Sequence, residues 1–278
     1  MTAQPRTKVD YGLRLYHEVF KLEALHFGLW APDDPDNLDG LRAAQRRYTE
    51  QLIALLPPGT QRVLDVGCGT GATAALLVER GIHVECMTPD AYQCQVFRRV
   101  RGDAIPLHQC RLQDFQAQRL FDAVLMSESA QYVPAAELFA AVRRCLEPGG
   151  ALVLSDYFRL QAVDYYKTTH VLEDFRAAAR SAGFTQVHEE DVTERTLPTL
   201  HLGLAMYRDT IRPVIEIAAG FISERAPVVR RAVELLWRKK LKKLKWYLYD
   251  KTEQKLDAER FARELRYLFL RFEATRDG

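Results

Sequence analysis

The sequence predicts an α/β protein built on an open parallel sheet with helices on both faces. Three observations support this. Short apolar runs alternate with helical patterns from Arg62 to Val192, the rhythm of successive strand–helix–strand units. The runs are almost continuously apolar, as in Val63-Leu64-Asp65-Val66 and Ala151-Leu152-Val153-Leu154, which is how strands covered on both faces read. A turn with Gly67, Gly69 and Gly71 follows the first run at once.

The elements follow in chain order. Residues 9–30 carry a helical pattern, with Leu13, Leu15, Val19, Phe20, Leu22 and Leu25 as its apolar positions. Ala31 to Gly40, dense in Pro and Asp, breaks it. A second helix spans Leu41 to Leu56 and is closed by Pro57, Pro58 and Gly59. Strands are expected at Arg62–Val66, Ile82–Met87, Ile105–Cys110, Phe121–Met126, Ala151–Asp156 and Phe184–Val192. Helices are expected at Ala72–Glu79, Tyr92–Arg101, Ala135–Cys145 and Glu173–Ala182. Residues 195–264 then read as almost wholly helical, punctuated by Pro198, Pro213 and Pro227, and Arg266–Ala274 reads as a last strand. The expected organisation is an N-terminal helical arm (1–58), an α/β core (59–194), a helical lid inserted before the last strand (195–264), and a final strand rejoining the core (265–278).

Composition excludes several classes. The net charge of +2 gives no reason to expect a nucleic-acid partner. No apolar run approaches the ~20 residues of a membrane span, and the first residues lack an apolar signal core. A cytoplasmic protein is expected. The cysteines, Cys68, Cys86, Cys94, Cys110 and Cys145, are odd in number and lack metal-ligand spacing, so reduced thiols and no metal are expected. Charge is unevenly spread, with 16 basic against 8 acidic residues from Arg225 to Gly278. Within that stretch, Trp237–Tyr249 places Trp237, Leu241, Leu244 and Leu248 on one helical face among six Lys and Arg residues. It reads as a solvated lid face or as a contact for an anionic membrane surface.

The strongest chemical signal is Val63 to Gly71, VLDVGCGTG. Glycines let a backbone turn sharply and approach a ligand closely, and open parallel sheets bind ligands at the carboxyl ends of their strands. Gly67-x-Gly69-x-x-Ala72 also satisfies the loose dinucleotide pattern, which would make this an NAD(P)-dependent oxidoreductase. Two residues argue otherwise. The next strand ends in Thr88, where a dinucleotide site wants an acid. Asp65 stands just before the glycines, where it would repel a pyrophosphate but suits the amino group of S-adenosylmethionine (SAM).

Asp65-Val-Gly-Cys-Gly-Thr-Gly resembles motif I of the class I SAM-dependent methyltransferases, and the other landmarks fall in order. Gln113-Asp114-Phe115 resembles the segment that contacts adenine. Phe121-Asp122-Ala-Val-Leu-Met126 resembles the family's fourth strand, and Leu146-Glu-Pro-Gly149-Gly150 its turn into the fifth. The resemblance covers roughly Leu41 to Val192, and Arg266–Ala274 resembles the final strand. It implies a Rossmann-like class I methyltransferase sheet of six parallel strands plus one antiparallel. Most of the family has an acid at the place of Thr88. A small-molecule branch that includes tocopherol, sterol and cyclopropane-type enzymes has a Thr there, with a Gln at the place of Gln93. Gly28 and Trp30 resemble that branch's segment closing over the cofactor, and Ser127-Glu128-Ser129 its stretch after the fourth strand.

The resemblance implies SAM as cofactor and SAH as product, with contacts from Tyr11, Trp30, Asp65, Gly67, Cys68, Gly69, Thr88, Gln93, Asp114, Phe115 and Ser127. Methyl transfer needs alignment, and a base only where the nucleophile carries a proton. Glu128 is the first candidate, as a base or, for an alkene, as the group that stabilises a carbocation or takes its proton. His170 and His201 are further candidates for base, and Tyr11, Tyr16 and Tyr132 for rings against the sulfonium. Leu202, Leu204, Met206, Ile211, Ile215, Ile217 and Phe221 either pack onto the sheet or point to an apolar acceptor: a lipid, a terpenoid or another natural product. A small-molecule methyltransferase, monomeric or homodimeric, is the expected function, with C- or O-methylation favoured over N. The rivals are the oxidoreductase and a non-catalytic module docking to membranes.

Overall fold

The computed structural model describes residues 11–225, 242 and 246–275. It separates into two compact units, Met1–Arg195 with Glu264–Gly278, and Thr196–Arg263.

The first unit is a seven-stranded sheet: β1 (Arg62–Val66), β2 (His83–Met87), β3 (Leu107–His108), β4 (Phe121–Ser127), β5 (Leu146–Arg159), β6 (Phe184–Asp191) and β7 (Leu265–Ala274), in the order β3-β2-β1-β4-β5-β7-β6. Six strands run parallel, and β7 lies antiparallel between β5 and β6. This is the Rossmann-like sheet of class I methyltransferases. The order reverses between β1 and β4, which places the ligand crevice at their carboxyl ends. The start of β1 is fixed by Asp122 of β4, whose Oδ2 accepts the amides of Gln61 and Arg62, each at 2.8 Å.

Helices α1 (Tyr11–Arg14, continued as a wider turn over Leu15–Val19), α2 (Leu38–Ala54), α3 (Ala72–Glu79), α4 (Ala91–Arg101), α5 (Ala135–Cys145) and α6 (Leu172–Ser181) cover the sheet. Their apolar faces drive this packing, since burying a Leu or Phe side chain is worth about 1.5–3 kcal/mol. On one face, the ring of Phe139 from α5 meets Phe175, Phe184 and Phe272 at 4.9, 5.3 and 5.6 Å.

The strand expected at Ile105–Cys110 is shorter, Leu107–His108, and two elements differ more. The predicted helix over 9–30 stops near Phe20, and residues 20–30 run as a loop with Lys21 left-handed at φ 55°. Tertiary bonds replace the helical ones. Glu23 O accepts from Thr70 Oγ1, Ala24 O and His26 O accept from Gln45 Nε2, and the Leu29 amide donates to Ala44 O. The predicted strand Ala151–Asp156 extends to Leu146–Arg159, because β7 pairs with it along Ala151–Arg159.

The second unit holds most of α7 (Thr193–Met206), then α8 (Arg212–Arg225) and two short helices, Thr252–Lys255 and Ala258–Glu264. Leu202 is buried, but Ile217 and Phe221 are 72% and 62% exposed, so those two contribute to no apolar interior. Much of the basic stretch Trp237–Tyr249 lies outside the described residues. No described helix is long and apolar enough to cross a membrane.

Candidate functional site

The crevice begins at the glycine turn. Gly67, Gly69 and Gly71 have φ of 78°, 56° and 81°, a region that side chains other than glycine rarely enter. The amides of Gly67 and Cys68 donate to Met87 O at 2.8 and 3.2 Å, which ties the turn to the end of β2. The glycines serve different needs. A Cβ at Gly67 would lie 2.4 Å from Ser129 Cβ, and one at Gly71 would lie 2.5 Å from Phe97 Cε2. One at Gly69 would meet only Leu25 Cδ1, at 3.6 Å. Two of the three glycines therefore admit neighbouring side chains, and only Gly69 leaves open room.

Asp65 ends β1 beside this turn. It is 1% exposed, and its Oδ2 has no hydrogen-bond partner. Burial pushes its carboxyl up to about 7. An orphaned buried carboxylate is costly unless a donor or cation joins it. The α-amino group of SAM is such a partner, so the residues present fit that cofactor.

Around the rim, Thr88 Oγ1 donates to Gln93 Oε1 at 2.7 Å, leaving the amide NH₂ of Gln93 available. Asp90 caps α4 by accepting the Gln93 amide at 2.8 Å, which fixes the backbone at that position. Asp114 is exposed and gives both carboxylate oxygens to Arg111, at 2.8 and 3.1 Å. Arg111 holds its carboxyl below the usual range. Phe115 is buried edge-on to the His108 ring. Trp30 is 5% exposed and packs beside Gly28 and Gly40, where added Cβ atoms would lie 3.0 Å from its ring. It thus packs between the arm and α2. The Tyr11 side chain lies outside those described.

Glu128 follows β4 directly. Its backbone is left-handed at φ 48°, and its amide donates to Ser155 O at 2.8 Å. Such conformations in non-glycine residues cluster at functional sites. Oε1 accepts the Phe27 amide at 2.6 Å and the hydroxyl of Tyr267 at 2.5 Å. Burial nevertheless raises the carboxyl to about 7. The neighbouring rings come from separate elements. Phe27 lies 5.4 Å from Tyr267 and 6.0 Å from Tyr157, and Tyr157 lies 5.2 Å from Tyr166. Tyr166 is also left-handed, at φ 50°. Its loop is held by Arg159, which donates to Thr169 O and Val163 O at 2.8 and 3.0 Å. Asp156, 1% exposed and raised to about 8 by burial, accepts the amides of Gln131 and Tyr157.

The other expected residues are placed as follows. Ser127 Oγ bonds the Tyr48 hydroxyl at 3.2 Å. His170 Nε2 faces Ala130 O at 3.0 Å, and its ring lies 5.1 Å from that of Phe175. His201 is exposed on α7. Tyr132 is 74% exposed. Tyr16 carries a hydroxyl that feels the charge of Glu128. Sequence reasoning missed Phe27, Tyr48, Tyr157, Tyr166 and Tyr267. Phe27 stands beside Gly28 in the arm, the four tyrosines sit in no motif, and only the fold gathers them.

Several known methyltransferases are similar to this chain. A family profile described as a methyltransferase domain matches residues 64–154. Methyltransferase GfsG of Streptomyces halstedii is 30% identical over 213 residues, 68% of this chain and 76% of that protein. O-methyltransferase cnsE of Penicillium expansum is 26% identical, over 70% of this chain and 79% of that one. The solved geranyl diphosphate C-methyltransferase of Streptomyces coelicolor A3(2), in complex with Mg2+, geranyl diphosphate and S-adenosyl-L-homocysteine, superposes with a TM-score of 0.68 at 18% identity. That superposition covers 98% of this chain and 100% of the other.

Proposed function

The chain belongs to the methyltransferase family and is a SAM-dependent small-molecule enzyme, and we propose that its acceptor is an apolar natural product, lipid or terpenoid methylated on oxygen or carbon beside Glu128. The observation behind this reading is the setting of Glu128, a half-buried carboxyl near neutral proton affinity among the rings of Phe27, Tyr157, Tyr166 and Tyr267. Rings of this kind favour apolar ligands with few polar anchors.

When bound, SAM supplies an electrophilic methyl group on a sulfonium. The rest falls to the protein. In this reading Asp65 receives the amino group, Gly69 gives the backbone room, and Gln93 offers its amide to a ribose hydroxyl. Asp114 turns from Arg111 to the adenine edge, Phe115 backs it, and Ser127 and Cys68 line the turn. Positioning of this sort is where much of the rate arises. Glu128 then takes the proton that an oxygen or carbon acceptor sheds. Its affinity near 7 suits that task at neutral pH. An amine reacts as its free base and has less need of such a carboxyl.

The test is a panel of phenols, polyketides, terpenoids and quinone precursors incubated with SAM and read by mass for one added methyl. Glu128→Gln is expected to keep SAH affinity in calorimetry and to lose methyl transfer by about 10²–10⁴-fold. Full transfer by that variant, or methylation confined to amines, would overturn the reading.

A further inference from the structure

The Glu128 carboxylate is held from one side only. Both of its hydrogen bonds fall on Oε1, from the Phe27 amide and from the Tyr267 hydroxyl. Among the described residues, none bonds Oε2. Behind Oε1 the hydroxyls continue. Tyr267 Oη lies 3.2 Å from Tyr48 Oη, and Tyr48 Oη lies 3.2 Å from Ser127 Oγ. Three hydroxyls from β4, α2 and β7 thus form one line ending on the carboxylate.

Tyr267 is the member whose place is most firmly set. It is fully buried. Its amide donates to Thr193 Oγ1 at 2.9 Å, its carbonyl accepts from the Val192 amide at 2.9 Å, and it stands opposite Tyr157 in the β5–β7 ladder. Tyr48 is equally buried, stacked at 4.0 Å on His26. That histidine is bonded to Phe27 O and Thr49 Oγ1, so it is not a donor in the line.

We propose that Tyr267 is a positioning residue, fixing the rotamer of Glu128 so that Oε1 belongs to the protein and Oε2 faces the acceptor, with Tyr48 and Ser127 orienting the Tyr267 hydroxyl. This rests on the reading of Glu128 as the group that receives the acceptor's proton. A hydroxyl donating to a carboxylate stabilises its charged form, so Tyr267 also moderates the rise that burial imposes. The titratable groups around Glu128 are Tyr16, Tyr48, Asp156, Tyr157, Tyr166 and Tyr267, each an acid that feels its charge. Among the described residues no basic side chain opposes it.

The test needs no acceptor. The protein is labelled with δ-¹³C glutamate, and the Glu128 carboxyl, assigned by its loss in Glu128→Gln, is titrated by NMR. Tyr267→Phe is expected to move the midpoint upward by about one pH unit. Tyr48→Phe moves it the same way by less. As a shape-preserving control, 3-fluorotyrosine at position 267 is a stronger donor and lowers the midpoint. A merely structural tyrosine would not give opposite signs for these two changes. Midpoints unchanged in both Tyr267→Phe and the fluorinated protein overturn the inference, even if Glu128 proves essential. Full methyl transfer by Glu128→Gln would instead sink the role of Glu128 and leave the measured coupling standing.

Discussion

Gly67 and Ser129 approach so closely that a Cβ on the glycine would fall 2.4 Å from the serine Cβ. Ser129 cannot retreat, because its Oγ donates to Val66 O at 2.6 Å. Gly67→Ala therefore meets a left-handed φ and a clash together, while Gly69→Ala meets the φ alone. A left-handed non-glycine residue costs roughly 1–2 kcal/mol. Gly69→Ala is expected to lose about that much stability, and Gly67→Ala more, on the order of 2–4 kcal/mol. Denaturant unfolding of the two variants checks the order, and equal losses would show that Ser129 yields.

Asp65 is expected to couple cofactor binding to pH. Its carboxyl sits near 7 in the folded protein, well above the usual range, because burial disfavours its charge. The folded state thus holds the proton more tightly than the unfolded one. Stability from this group is fully present at acid pH and is lost as pH rises from about 4 toward 7. Asp65→Asn, which carries no charge, is expected to raise stability at pH 7 by on the order of 2–4 kcal/mol without ligand. In the proposed reading the same change removes the partner of the SAM amino group, and SAH affinity should fall by about 100-fold. Calorimetry should also show proton release as wild-type protein binds SAH below pH 7. A destabilised Asp65→Asn protein would contradict the assignment of burial as the dominant cause.

Gln93 and Thr88 form a neutral pair where most of the family has an acid. Thr88 donates to Gln93 Oε1, which turns the amide NH₂ outward. Gln93→Ala is expected to weaken SAH by about tenfold, the worth of one net hydrogen bond. NAD binding should be undetectable in wild type and variant alike. Micromolar NAD binding in either would reopen the oxidoreductase reading.

α8 exposes the apolar side chains Val214, Ile217 and Phe221, and the basic stretch follows it in the sequence. Flotation with phosphatidylserine vesicles is the measurement for a membrane contact. A membrane contact predicts flotation at low salt that falls severalfold when Lys242 and Lys243 are replaced by Glu. Unchanged partitioning would leave that stretch as a solvated surface.

The alternation of strands and helices was legible from Arg62 to Val192 because each element there carries its own period. β1 and α3 match their expected bounds to the residue. Asp65 and the glycines were legible because a turn of that kind is a local necessity. The arm was misread, since residues 20–30 satisfy a helical pattern but spend their backbone bonds on Thr70, Gln45 and Ala44. The length of β5 was underestimated because its partner, β7, arrives more than a hundred residues later.

The sequence alone therefore determined the sheet, the glycine turn and the identity of Glu128 as a residue to watch, for these follow from short-range periodicity and turn chemistry. The tertiary structure alone decided what surrounds Glu128. Phe27, Tyr48, Tyr157, Tyr166 and Tyr267 are spread over 240 residues of chain and share no motif. Only the closure of β7 against β5, and the descent of the arm over the sheet, bring their rings and hydroxyls within reach of one carboxylate.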